Sequence, residues 1–345
     1  MDPIPAVWRI DIEPDEFEVG PGQPPWTGFV TMASLVQSLR GRLEDLGGMP
    51  LCLSWFPRFD PEIGRSYGQV DFVFDRYRAL FDELLEARDV FGTHVHYYRW
   101  DLRREATYSD HADLEWVTHC IDVSANTFKR CFGEPVRRAS QGGFFLHDAV
   151  VKHSVALGIE VDVTVEPGLG ALAETVSFGA YATQPSPDFR DFPRRPYYPS
   201  PTALNVPANS LDGAHPMMLV PLTAYDYEGA LAPWVQRIAR KMFPRLGKHS
   251  PLNPWKEWPD ACAYWDFMEL AADEGPARYI AFAVRTDSPS SRAFRQAQVL
   301  FEYLPRHPIA RRLRFVDPLS PEIRALARVG MGPGTTPPLS PLPRN

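Results

Sequence analysis

Ala6-Val7-Trp8-Arg9-Ile10-Asp11-Ile12-Glu13-Pro14-Asp15-Glu16 reads as a β-strand that runs straight into acidic residues. Val7, Trp8, Ile10 and Ile12 are strand formers. Residues two apart on a strand point the same way, so Asp11 and Glu13 share one face. Two carboxylates held together can divide labour, one ligating a metal and the other acting as a base.

Working outward, Thr31 to Leu46 has helical spacing, with Leu35, Leu39 and Leu43 on one stripe and Gly47-Gly48 as its end. Leu51 to Phe56 is a buried-type strand, Phe72 to Ala87 an amphipathic helix, and Asp89 to Tyr98 a third strand. Helices follow over 112–132 and 148–157, with strands near Val136 and over 159–165. The proline-rich segment 184–207 reads as a long ordered loop or lid rather than an element. Later strands at 217–222, 279–284 and 313–316 flank a helix over 291–303. This alternation implies an α/β chain, one barrel-like domain over 1–318 with polar groups at the strand ends. From Gly330 onward Gly, Pro, Ser and Thr dominate, and 319–345 is expected to be a disordered Pro/Gly-rich tail.

The 345 residues are 44% hydrophobic and 23% charged, ordinary for a folded chain. The net charge of −7 argues against a nucleic-acid coat, because phosphate binding wants a basic face. Prolines number 36, about twice the usual ~5%, which implies many rigid loops. No apolar run is long enough to span a membrane, and Met1-Asp2-Pro3-Ile4-Pro5 does not read as a secretory signal. Cys52, Cys120, Cys131 and Cys262 lack paired spacing, which excludes a disulfide framework or zinc knuckle. A cytoplasmic location is the expectation.

Two further clusters sit at strand ends. In Gly92-Thr93-His94-Val95-His96-Tyr97-Tyr98-Arg99-Trp100 the two histidines share a strand face with Cα atoms roughly 6–7 Å apart, close enough for both imidazoles to reach one metal. Arg137-Arg138-Ala139-Ser140-Gln141-Gly142-Gly143-Phe144 places a cation before a tight glycine turn, where it can meet a carboxylate.

An acidic pair after the first strand, His-x-His after the third and Arg with a Gly turn near the fourth resemble the polysaccharide deacetylase family, the nodulation-type, chitooligosaccharide and peptidoglycan deacetylases. The resemblance covers roughly residues 6 to 315. It implies an irregular (β/α) barrel and a metal-dependent N-deacetylase acting on an amino sugar. It implies further that Asp11 is the general base, that Glu13, His94 and His96 hold a divalent metal such as Zn2+, and that Arg138 (or Arg137) orients Asp11. Trp55, Tyr97, Trp100, Tyr197 and Tyr198 are the candidates for a sugar-stacking rim.

The chain departs from the family in three places. Position 98 is Tyr98, so a His-x-x-x-His is shortened to His-x-His. The metal acid is Glu13 rather than Asp. The late strand Ile280 to Asp287 lacks the His that serves as general acid, which leaves Asp287 as candidate acid if burial raises its pKa. Two other readings stand beside the deacetylase: an amidase acting on another C–N bond of a small molecule, and a non-catalytic glycan-binding module. The expected partner is a carbohydrate or N-acylated small molecule, with no nucleic acid; the sequence leaves the oligomeric state open.

Overall fold

The computed structural model describes residues 2–16, 22–171, 181–226, 249–254, 258 and 260–331. The strands in chain order are β1 (Ile4–Ile12), β2 (Ser54–Pro57), β3 (Val90–Phe91), β4 (Thr93–Val95), β5 (Tyr98–Asp101) and β6 (Ala106–Ser109). They continue as β7 (Arg138–Gln141), β8 (Val161–Asp162), β9 (Tyr181–Ala182), β10 (Pro199–Ser200) and β11 (Ala203–Pro207). The last are β12 (Met218–Leu219), β13 (Ala224–Asp226), β14 (His249–Pro251), β15 (Ile280–Arg285) and β16 (Leu313–Phe315).

β1 is the hub of the first sheet, pairing in parallel with β15, β16 and β2, while β2 pairs with β3. The second sheet runs β12-β8-β7-β4, also parallel. The two meet through a single Arg58–His94 bridge on one side. On the other, Thr223 N donates to Ala281 O at 2.7 Å. The α/β alternation is as expected, but strand pairing among the described residues runs in two sheets joined at such single points, not as a continuous closed barrel.

Side-chain alternation sorts the core into two layers. Trp8, Ile10 and Ile12 of β1 and Ile280, Phe282 and Val284 of β15 belong to the larger cluster, under the helices. Trp8 stacks on Phe301 of the helix Arg292–Tyr303, with centroids 4.1 Å apart. Val7, Phe56, Val161, Val163, Met218, Ala281 and Ala283 form the smaller cluster on the opposite strand faces. Along β1 the face that begins with Val7 continues as Arg9, Asp11 and Glu13, all buried. The inner space is thus apolar toward the start of β1 and charged toward its C-terminal end, where ligands of parallel α/β sheets bind.

Several boundaries differ from expectation. The first helix spans Thr27–Gly47, four residues earlier than its leucine stripe suggested, because Asp15 caps it through Thr27 Oγ1 and Gly28 N. The helix expected over 72–87 breaks at Tyr77 into Phe72–Arg76 and Arg78–Glu86. The third strand is divided into β3, β4 and β5. Part of the expected loop 184–207 is paired: β10 and β11 are antiparallel. The helix Ala261–Glu274 had no counterpart in the sequence reading. The expected tail is corrected at its start. Pro321–Ala327 is a helix capped by Ser320, and its Ile323 and Ala327 join Val316 and Leu319 in the inner cluster. Residues 332–345 lie outside the described residues. No described helix is long and apolar enough to cross a membrane.

Candidate metal centre

Register brings the site together. Parallel pairing sets His94 opposite Ser140 and Arg58 opposite His94. The β1–β2 register ends at Ile12–Pro57, one step before Glu13 and Arg58. Glu13, Arg58, His94 and Ser140 therefore stand at one level at the C-terminal ends of four adjacent strands.

Three atoms converge there. Glu13 Oε1 lies 3.0 Å from His94 Nε2 and 3.1 Å from His96 Nε2, and the two Nε2 atoms are 2.9 Å apart. All three residues are buried. Ligands that each sit about 2.0–2.2 Å from one ion are spaced in this way. The donor set fits as well. His94 Nδ1 bonds Ser140 Oγ at 2.9 Å, and Ser140 Oγ donates to Asp11 Oδ1 at 3.2 Å. With Nδ1 carrying the proton, Nε2 keeps its lone pair toward Glu13. Burial, helped by the Arg58 charge, pushes His96 down to about 4, so its ring is neutral near pH 7. Burial alone would raise the Glu13 carboxyl; the pull of His96 when protonated, the Arg58 charge and bonds from both imidazoles outweigh it and hold Glu13 well below the carboxylate range.

Asp11 sits on the Nδ1 side of His94, away from the converging atoms. It is 1% exposed. Arg9 holds it in a fork, Nε to Oδ1 at 2.9 Å and Nη2 to Oδ2 at 2.6 Å. The expectation that Arg138 orients Asp11 is corrected: Arg138 is at the start of β7 and pairs with Asp317, while Arg137 pairs with Glu160 at the surface. Arg9 takes that place because residues 9, 11 and 13 share one strand face. The sequence contained this signal, two residues before Asp11, and the reading missed it.

Arg58 is the second missed residue. It is wholly buried, with Nη1 3.3 Å from Glu13 Oε2, Nε 2.8 Å from Asp60 Oδ2 and Nη2 2.5 Å from Glu62 Oε2. Its guanidinium lies 5.6 Å from the centre of the Tyr98 ring, which stacks on His96 at 4.7 Å. Burial lifts the Glu62 carboxyl to about 7, against the opposing charge of Arg58. The Gly142-Gly143 turn also has a physical reason. A Cβ at Gly142 would lie 2.6 Å from the His96 ring, and Gly143, at φ +61°, passes close to His111. His111 is a third missed residue. It is buried, stacked on Phe145 at 4.1 Å, bonded through Nε2 to Ser109 Oγ, and its Nδ1 has no hydrogen-bond partner. Burial pushes its pKa down to about 4.

Asp287 follows β15. Its carboxyl is pushed up by burial against the pull of Arg285, 3.2 Å away, and the Glu13 charge adds to the rise. The stacking rim is corrected. Trp55, Tyr97 and Tyr197 are fully buried. Trp55 Nε1 donates to Asp89, Tyr97 OH to Gln141 Oε1, and Tyr197 OH to the Leu204 carbonyl. Tyr198 lies in the inner apolar cluster. Trp100 alone is half-buried, with Arg65 over its ring at 5.1 Å. A second group of possible ligands, Cys262, Asp266 and His307, is a helix cap. His307 Nδ1 accepts from Ile309 N at 3.2 Å, so Nε2 carries the proton that bonds Asp266 at 3.0 Å.

No family model matches the sequence, and no curated protein matches it. Among solved structures, a protein of Parabacteroides distasonis described as a glycoside hydrolase/deacetylase aligns with a TM-score of 0.50 and 12% identity, over 91% of this chain and 69% of that one. A protein of Mycobacterium smegmatis described as a polysaccharide deacetylase aligns with a TM-score of 0.48 and 11% identity, over 97% of each chain. At these identities the first likeness concerns the fold alone. The chain is thus similar in fold to a protein described as a glycoside hydrolase/deacetylase.

Proposed function

We propose that the chain is a metal-dependent hydrolase of an acyl C–N bond, an N-deacetylase acting on an N-acetylated amino sugar in a cytoplasmic setting. One observation carries this reading: Glu13 Oε1, His94 Nε2 and His96 Nε2 converge within 3.1 Å of one another. These residues would hold a divalent cation, and two imidazoles with one carboxylate suit zinc. Such an ion, when bound, polarises an acyl carbonyl and makes water a nucleophile near neutral pH.

The chain's own groups supply the rest. Arg9 keeps Asp11 in place, and Asp11 through Ser140 fixes the His94 tautomer. The base role expected of Asp11 is not part of this proposal, because Asp11 is buried on the Nδ1 side of His94, away from the converging ligand atoms. Asp287, with its raised pKa, is assigned the proton for the departing amine.

Burial of Trp55, Tyr97 and Tyr197 favours a second reading, an amidase for a small molecule that needs no long sugar-stacking groove. Incubating the metal-loaded protein with N-acetylated sugars and with small amides separates the two. Acetate released from sugars alone supports the deacetylase, turnover of small amides alone supports the second reading, and turnover of neither removes both.

A further inference from the structure

We propose that Arg58 is a positioning residue that restricts Glu13 to ligation through Oε1 alone; this rests on the metal reading above. Glu13 uses its two oxygens differently. Oε1 faces both imidazoles, whereas Oε2 is 3.3 Å from Arg58 Nη1. The guanidinium is not free to follow Glu13. Asp60 grips one edge of it with both oxygens, 2.8 Å at Nε and 3.0 Å at Nη2, and Glu62 takes Nη2 as well. Asp60 Oδ2 also accepts the His96 backbone N–H at 3.4 Å. One buried ion pair thus touches the carboxylate ligand and the backbone of a histidine ligand.

The consequence is chemical. A donor held on Oε2 keeps that oxygen off the cation and draws electron density from the carboxylate. The ion then keeps an open position and more of its charge for a substrate carbonyl. Lys is no equivalent, because a point charge lacks the fork that binds Asp60 and Glu13 at once.

Cobalt(II) is the probe, since its visible spectrum reports coordination number. Arg58→Met and Arg58→Lys are compared with the wild-type chain by chelator competition and by absorption, with circular dichroism to confirm folding. We expect cobalt affinity to change by about 10–100-fold in Arg58→Met, the usual size of effect of removing a group that orients a ligand. The spectrum should shift toward higher coordination as Oε2 joins the ion. Arg58→Lys should show the same shift to a smaller degree, and it keeps the test open if Arg58→Met does not fold. A folded Arg58→Lys with wild-type affinity and spectrum overturns the proposal while the wild-type cobalt site stands. A wild-type chain that takes up no cobalt overturns the metal reading, and this proposal with it.

Discussion

At the residue scale the site is built from charges that cannot reach water, so each must be paired. Arg9 and Asp11 illustrate the stakes. Replacing Arg9 with Met leaves a buried carboxylate without its partner, which costs about 3–5 kcal/mol. Urea denaturation should record that loss, and a change below about 1 kcal/mol would show that Asp11 is satisfied elsewhere. Ser140→Ala is a gentler cut. It removes the hydroxyl between His94 and Asp11 and should weaken metal binding about tenfold with little change in stability, as read by chelator competition. His111 sets a pH dependence. Its folded pKa, about 4, lies below an unfolded value of about 6.5. Protons therefore favour the unfolded chain as pH falls from about 6.5 to about 4, and this one group removes up to about 3 kcal/mol over that window. His111→Phe should flatten that limb of the stability profile; an unchanged limb would assign it to other groups.

At the scale of elements, packing overrides propensity. Gly28 lies in the first turn of the helix Thr27–Gly47, where alanine is ordinarily the better helix former by up to about 1 kcal/mol. A Cβ there would stand 1.8 Å from the Thr286 carbonyl oxygen and 2.4 Å from that of Asp287. Gly28→Ala is therefore expected to destabilise by at least about 2 kcal/mol, a reversal of sign that thermal unfolding would reveal. The same contrast explains what could be read in the sequence. The strand at Ile4–Ile12, the helix Leu114–Phe132 and the His-x-His pair announce themselves by local period. The partners of those groups do not. Arg58 meets Glu13, and Ser140 meets His94, only because parallel pairing aligns residues far apart in the chain. The Arg138 assignment failed for the same reason: position 138 falls at the opposite end of β7 from Gln141, whose neighbour Ser140 reaches the site. The aromatic side chains were misread because composition does not reveal which strand face a ring lies on.

At the scale of the whole molecule, one end of the inner space is closed by apolar side chains and the other is lined with charge. The closing segment, Val316 to Ala327, belongs to the folded body. Its low apolar density and flanking prolines made it look like tail. Ile323→Ala, at a fully buried position, should cost about 2–4 kcal/mol. Truncation after residue 318 should lower the melting temperature markedly, whereas truncation after residue 331 keeps the helix Pro321–Ala327 and its buried Ile323. Equal melting temperatures for the two truncated chains would place 319–331 outside the core. At the charged end, Glu13, His94 and His96 are proposed to hold one metal ion. Elemental analysis of the purified chain after exposure to zinc and dialysis tests it most directly. About one zinc per wild-type chain, falling to background in His94→Ala and in His96→Ala, is the expected result; a wild-type chain without bound metal, or either variant retaining its full complement, would contradict it.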